Sequence, residues 1–457
     1  QVLPRDYTRR NEIELVVKEM AEQVAIRIRQ HNCKTGCVHL NIGTSILETR
    51  PGFSHQMKIP ITDNTKELQN YCLFLFDKYY EGQEVRHVGI TYSKLFYTDS
   101  LQLDLFSDPQ KQIDEENLDK IIDFSANINP YGLSKNIKKA IVDHIDDIIH
   151  YPEPDARELC GKIAENYGIS ADKIIVGNGA VELLYILCHI LKPKNALIVS
   201  PGFSEYERAA KASGANINYV MLSEKQEFNS PMRDLIVNIK GNDILFIGNP
   251  NNPTGTLFTV EDMELLIEHA ENNGCFVVVD ESFMDFIKTS EAFSVLPLVE
   301  KYHNLFVLHS LTKFYALPGL RLGFAATDHE VLDPLYQAKD PWNVNALAQI
   351  AGMVALEDKV YQRRSRTYTR TEINYLYEEL ETFDKLKVYE PTVNFILVNI
   401  EKTNMTANEL KAKLLEYGIA IRNCENYPGL NEYFVRFAVR TREENDELID
   451  ALTEILA

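Results

Sequence analysis

With 457 residues the chain exceeds what one hydrophobic core usually organises, so two or three domains with a large interior are expected. Hydrophobic residues make up 45% and charged residues 25%, the balance of a globular protein, and no apolar run approaches the ~20 residues that span a bilayer. Residues 1–113 hold 14 basic and 14 acidic side chains, so the net charge of −20 falls entirely in 114–457; an acidic surface there disfavours nucleic acid, while the neutral first part can still present a basic face.

The opening residues Gln1 to Asp6 have no basic-then-apolar leader pattern, and the chain reads as cytoplasmic and as trimmed or incomplete at its start. Seven scattered cysteines, an odd number, argue for a reducing compartment rather than a disulfide framework. Cys33 and Cys37 are the one close pair, and with no second Cys or Cys/His pair at zinc spacing they carry no metal site.

Along the chain, apolar residues recur at three- and four-residue spacing from Glu14 to Ile28, which predicts a helix. Val38–Gly43 and Arg86–Tyr92 read as strands, Phe53–Ile59 alternates, and Thr65–Tyr80 is helical. Residues 1–113 thus form a small separate α+β domain. Gln102, Leu103, Leu105 and Phe106 set an apolar pair beside an orienting glutamine, and residues 114–122 close an acidic linker that begins near Ser107.

From Asp123 the pattern becomes α/β. Apolar strands at Lys173–Val176, Ala196–Val199, Ile244–Ile247 and Phe276–Asp280 alternate with amphipathic helices, which predicts a doubly wound, mostly parallel sheet over 123–345. A long helix from Ala346 to Tyr377 then leads into a smaller α+β domain, 346–457, with strands near Phe395–Val398 and Tyr433–Phe437. In a parallel sheet ligands gather at the carboxyl ends of the strands, where the polar motifs of this chain fall.

Those motifs meet four demands of pyridoxal phosphate: an amine for an imine, a carboxylate for the pyridine nitrogen, a donor to the ring oxygen and a cradle for the phosphate. Lys313 supplies the amine, with Ser310 three residues before it and Arg321 eight after it as phosphate ligands. Asp280 ends an apolar strand, where a carboxylate is costly without a cation. Asn252, in the turn Asn249–Gly255, can donate to the ring oxygen, and Phe203 can stack on the ring. Gly179, Ala180 and Val181 stand between a strand and a helix, where backbone N–H groups hold a phosphate. Singly each has an ordinary structural explanation: a solvated lysine, a plain turn, a helix cap. Their order and shared position at strand ends carry the reading.

The stretches Asp123–Pro130, Tyr151–Arg157, Thr312–Gly319, Trp342–Ala348 and Val435–Arg440 resemble the class I/II aminotransferase group of fold-type-I pyridoxal-phosphate enzymes over about residues 121–457, and within it the threonine-phosphate decarboxylase branch of cobalamin biosynthesis. That resemblance implies a homodimer in which Arg436 takes the substrate α-carboxylate, Asn343 lies beside it, Asn129 joins the substrate site and Tyr151 reaches the partner's cofactor phosphate. It implies conversion of L-threonine O-3-phosphate to (R)-1-aminopropan-2-yl phosphate, with histidinol-phosphate-type transamination as the alternative. Phe283 stands where the transaminating relatives usually carry a tyrosine on the ring oxygen, which favours the decarboxylase. The His-Gly-Gly arm usual in that branch has no counterpart before Asp123.

Gln1–Tyr7, Gly52–Ile59 and Val88–Leu95 resemble the little-finger domain of Y-family DNA polymerases. That resemblance implies DNA contact through Arg50, Lys58, Arg86 and Lys94, with His55 and Gln56 beside them, and sliding-clamp contact through 102–106. The palm carboxylates needed for polymerisation belong to another domain, so no polymerase activity is expected. The two parts share no evident pathway, and their join at Leu118–Asp123 reads as a gene fusion or an assembly error.

Overall fold

A computed structural model describes residues 2–30, 33–44, 48, 50–97, 121–229 and 232–457. It divides into two units, 1–112 and 113–457. In the first, strands β1 (Val2–Tyr7), β2 (Cys33–Thr44), β3 (Phe53–Thr62) and β4 (Val85–Tyr97) form an antiparallel sheet in the order β1-β4-β2-β3. Helices α1 (Arg10–Gln30) and α2 (Thr65–Tyr79) pack on it. Ile13, Val17, Ala21, Ala25 and Ile28 lie on one stripe of α1 and are buried against Val38, Leu40, Ile42, Val88 and Ile90. Strand side chains alternate, so Gln56 and Lys58 stay exposed while Phe53, Met57 and Ile59 turn to this core. Strand β1 escapes a pattern reading because its short run includes Pro4, Arg5 and Asp6; pairing with β4 makes it a strand.

In the second unit β5 (Ile122–Asp123) precedes the main sheet, which is built from β6 (Ile174–Asn178), β7 (Asn195–Ser200), β8 (Asn216–Met221), β9 (Ile244–Gly248), β10 (Phe276–Asp280), β11 (Leu305–Ser310) and β12 (Leu322–Thr327). Their order is β6-β12-β11-β10-β9-β7-β8, and β12 runs antiparallel to both its neighbours. Apart from the edge strand β8, the strands are buried on both faces. Leu245, Ile247, Val277, Val279 and Val307 feed one core, and Ile244, Phe246, Val278, Phe306 and Leu308 feed the other. This is the expected doubly wound, mostly parallel α/β sheet.

A smaller antiparallel sheet follows, β13 (Lys387–Val388), β14 (Phe395–Asn399), β16 (Arg422–Asn423) and β17 (Phe434–Ala438), in the order β13-β14-β17-β16. Strand β15 (Ile419–Ala420) pairs with β5, which ties the start of the unit to its last domain. The single helix expected over 346–377 is two helices, Ala346–Glu357 and Lys359–Glu381. Asp358 breaks the run: its carboxylate caps the second helix by accepting from the N–H of Tyr361 at 3.0 Å, and it accepts from Ser134 Oγ at 2.8 Å as well. Among the described residues no helix is long and apolar enough to cross a membrane.

Candidate active site

The carboxyl ends of β6, β9, β10 and β11 deliver Asn178, Gly248, Asp280 and Ser310 to one edge of the main sheet. Strand β11 runs into a four-residue helix, Leu311–Phe314, so Lys313 emerges directly over that edge. Burial, and then the guanidinium groups of Arg436 and Arg321, push the Lys313 amine down to about 8, against the opposing pull of the Asp280 carboxylate. One amine therefore feels all three charged groups that the sequence assigns to cofactor and substrate.

Asp280 is 7% exposed. Its carboxylate accepts from Tyr206 Oη at 2.7 Å and from the Ser282 N–H at 2.9 Å, and among the described residues it has no cationic partner. Tyr206 stacks on Phe246 and meets Phe203 edge-on at 5.6 Å, which places Phe203 one ring away from Asp280. Tyr206 is a site residue that pattern reading misses: it sits on the inward stripe of helix Ser204–Ala212 and looks like core until the fold sets it against β10.

The anion cradle is the turn between β6 and helix Ala180–Leu191. Gly179 has φ +82°, and a Cβ there would lie 2.3 Å from Arg321 Nη2, so only glycine lets the guanidinium settle on the turn. The first-turn N–H groups of Ala180 and Val181 have no partner within the helix, and Arg321 makes no ion pair among the described residues. Ser310 Oγ lies 2.8 Å from Thr312 Oγ1 and is paired in register with Gly323 of β12.

Arg436 of β17 is buried; it donates through Nη1 to Asn252 Oδ1 and through Nη2 to the Ser125 carbonyl at 2.7 Å, while its Nε has no partner. Because Asn252 spends its oxygen on Arg436, its amide N–H groups stay available for a ring oxygen. Arg422 of β16 is in register with Arg436; its guanidinium donates to Asn426 Oδ1 at 2.8 Å and lies over the Tyr427 ring, and neither arginine has a carboxylate within ion-pair distance among the described residues. The sequence offered no reason to single out Arg422, since strand β16 is only two residues long.

Three of the expected residues, Asn129, Asn343 and Phe283, are committed to contacts within the fold. The Asn129 amide donates to the Phe314 carbonyl at 2.6 Å and to Ser365 Oγ, and it accepts from Tyr131 N and Thr369 Oγ1, so its capacity goes to buttressing the turn after Lys313 rather than to a substrate. Asn343 donates to Glu182 Oε2 at 2.7 Å and to the Val176 carbonyl at 3.3 Å, which commits it to the anion cradle instead of the side of Arg436. Phe283 is 6% exposed and packs on Phe395, 5.1 Å away, as apolar support under Arg436. Tyr151 is 81% exposed and leans on Trp342, 4.8 Å between ring centroids.

In the first unit, Lys58 and Lys94 are exposed and Arg86 is half-exposed. His55 instead stacks on Tyr79 at 3.7 Å, on the side opposite Gln56 and Lys58, because neighbouring strand residues face opposite ways. Arg50 pairs with Glu48 and donates to the Glu81 carbonyl at 2.7 Å, so it fastens its own loop. Residues 102–106 lie outside the described residues.

The second unit's residues fit pyridoxal phosphate on three counts: a buried carboxylate without a cation, a glycine-walled cradle beside an unpaired arginine, and a buried amine of lowered pKa. Residues 119–452 match the model of the family "Aminotransferase class I and II", and residues 1–105 match that of the "impB/mucB/samB family C-terminal domain". The chain is 40% identical over 72% of its length to a protein provisionally named threonine-phosphate decarboxylase from Caldanaerobacter subterraneus subsp. tengcongensis, covering 88% of that protein. It is 36% identical over 74% of its length to the threonine-phosphate decarboxylase of Salmonella typhimurium, covering 92%. The crystal structure of the histidinol-phosphate aminotransferase from Clostridium acetobutylicum superposes with a TM-score of 0.69 at 31% identity, over 74% of this chain and 99% of that one. Through its second unit, the chain belongs to the class I and II aminotransferase family.

Proposed function

We propose that the second unit is a pyridoxal-phosphate-dependent carboxy-lyase that converts L-threonine O-3-phosphate to (R)-1-aminopropan-2-yl phosphate, as a cytoplasmic homodimer. The observation that carries this is the convergence of Asp280, Arg321 and Arg436 on the lowered amine of Lys313. When bound, the cofactor supplies an aldehyde for the substrate amine and a protonated ring that draws the electron pair left at Cα.

The protein's part is positioning and charge. Asp280, held by Tyr206 and the Ser282 N–H, would keep the ring nitrogen of a bound cofactor protonated. Gly179, Ala180, Val181, Ser310 and Arg321 hold the cofactor phosphate. Arg436 would take the α-carboxylate, and Arg422, in register with it on the neighbouring strand and without a carboxylate partner among the described residues, would take the substrate phosphate. With both ends of the substrate fixed, rotation about Cα would be set by the protein, which would select the bond to the carboxylate for cleavage. Lys313, in its uncharged form, would accept the proton that the substrate ammonium group sheds and return it at Cα after carbon dioxide leaves. Phe283 supports this reading because it brings no hydroxyl to the ring oxygen.

The test is incubation of the loaded protein with L-threonine O-3-phosphate. Release of carbon dioxide without consumption of 2-oxoglutarate is expected; glutamate formation with histidinol phosphate would reassign the chain to transamination. The first unit is proposed to touch duplex DNA weakly through Lys58, Arg86 and Lys94, and a sliding clamp through Gln102, Leu103, Leu105 and Phe106. Binding that falls steeply with salt is expected, and Lys58→Ala should lower the slope of log affinity against log salt by about 1.

A further inference from the structure

The Gly-Asn-Gly turn that forms the anion cradle is itself held by a carboxylate, an odd neighbour for a phosphate site. Glu182 Oε2 accepts from the N–H of Asn178 at 2.7 Å and from Asn343 Nδ2 at 2.7 Å. Both bonds converge on one oxygen, and that oxygen lies 3.1 Å from where a Cβ on Gly177 would stand, so the carboxylate is packed against the turn itself. The opposite end of the Asn343 amide accepts from Lys339 Nζ at 3.5 Å, and Lys339 also donates to the Pro154 carbonyl at 2.8 Å. Lys339 is 6% exposed and has no carboxylate within ion-pair distance among the described residues, so this buried cation is satisfied by neutral oxygens and by the ring of Tyr336, 5.5 Å away. Gln349 Nε2 adds a bond to the Glu153 carbonyl at 3.0 Å, and Trp342 rests against Tyr151 at 4.8 Å. The segment 339–349 therefore grips the cradle on one side and residues 151–154 on the other.

We propose that Glu182, Asn343 and Lys339 form a positioning relay that fixes the anion cradle and ties it to the segment bearing Tyr151, so that cofactor-phosphate affinity depends on residues that never touch the cofactor. This rests on the reading of the cradle as a phosphate-monoester site. Glu182 acts by accepting two hydrogen bonds, which orient the turn so that the next free N–H groups, those of Ala180 and Val181, aim outward. Its charge opposes the bound phosphate, so its acceptor geometry is what the site uses. Asn343 keeps that carboxylate from swinging into the cradle, and Lys339 sets the amide's orientation by donating to its oxygen.

The test is reconstitution of the full-length apo-protein with pyridoxal phosphate and, in parallel, with pyridoxal, which lacks the phosphate. Asn343→Ala should raise the dissociation constant for pyridoxal phosphate roughly tenfold and Lys339→Met a few-fold, about what lost charge-assisted or buried hydrogen bonds cost. Glu182→Gln keeps an acceptor and removes the charge, so affinity should hold or improve. Affinity for pyridoxal should be unchanged throughout, whereas a general packing defect would weaken both ligands together. Where Asn343→Ala does not fold, Asn343→Asp keeps the volume, sets a second carboxylate against Glu182 and should weaken the phosphate ligand alone. Uptake of both ligands within twofold of wild type by Asn343→Ala and Lys339→Met overturns the relay by itself. No uptake of pyridoxal phosphate by the wild-type protein overturns the functional reading, and the relay with it.

Discussion

At Lys313, burial and two arginines bring the amine from 10.5 to about 8. Between about 8 and 10.5 the unfolded chain binds a proton that the folded apo-protein does not, so folding gains stability as pH rises through that window and bears the full penalty below it. The apo form of Lys313→Met is therefore expected to be more stable than wild type at pH 7, with the difference closing towards pH 10; urea midpoints at the two pH values measure it. Tyr206→Phe removes one of the two donors to Asp280 and leaves the ring stacking intact. It should lower kcat about tenfold with a smaller change in KM, in line with the ~1.5–3 kcal/mol of a bond to a charged group. Both residues illustrate how far sequence goes at this scale. Lys313 and Asp280 stand out as charges placed beside apolar strands, whereas Tyr206 and Arg422 have no local mark, because what distinguishes them is a neighbour from a remote strand.

Among the elements, the contact between helix Ala180–Leu191 and strand β12 decides where the cradle sits. A Cβ on Gly323 would fall 2.4 Å from the Ala180 nitrogen, which is backbone and cannot swing aside. Gly323→Ala should cost about 1–3 kcal/mol through overpacking and lower the affinity for pyridoxal phosphate as the helix start is pushed off the strand; a thermal melt and a binding titration read the two effects. Asp358→Ala removes the cap between the paired helices 346–357 and 359–381 and should cost about 1 kcal/mol. The helical period of residues 346–377 is continuous in sequence, so the break was invisible there. It exists because Asp358 finds Ser134, Asn136 and the Tyr361 N–H at once, two of them more than 200 residues away.

For the whole molecule, the two units have separate hydrophobic cores, one from α1, α2 and the first sheet and the others from the main and small sheets. Calorimetry should resolve two transitions, and saturating pyridoxal phosphate should raise only the one belonging to the second unit, because a ligand stabilises only the cooperative block that binds it. A single transition that shifts as a whole would contradict this. Tyr151 at 81% exposure, with Ile148 at 60% and Ile149 at 80% beside it, forms an exposed apolar face, and in the proposed dimer a second copy would cover it. Activity per chain should therefore fall on dilution below the dimer dissociation constant, and Tyr151→Ala should weaken cofactor binding without moving the melting point of the first unit.

Period, strand-end chemistry and composition were enough to foresee a doubly wound sheet and to nominate Lys313, Asp280, Asn252, Arg321 and Gly179 as candidates, since each stands at a strand end or in a turn beside one. The fate of the asparagines could not be read that way. Asn129, Asn252 and Asn343 are alike as letters, and their tasks diverge because an amide offers donors and an acceptor to whatever tertiary packing brings within 3 Å: the carbonyl of Phe314, the guanidinium of Arg436, the carboxylate of Glu182.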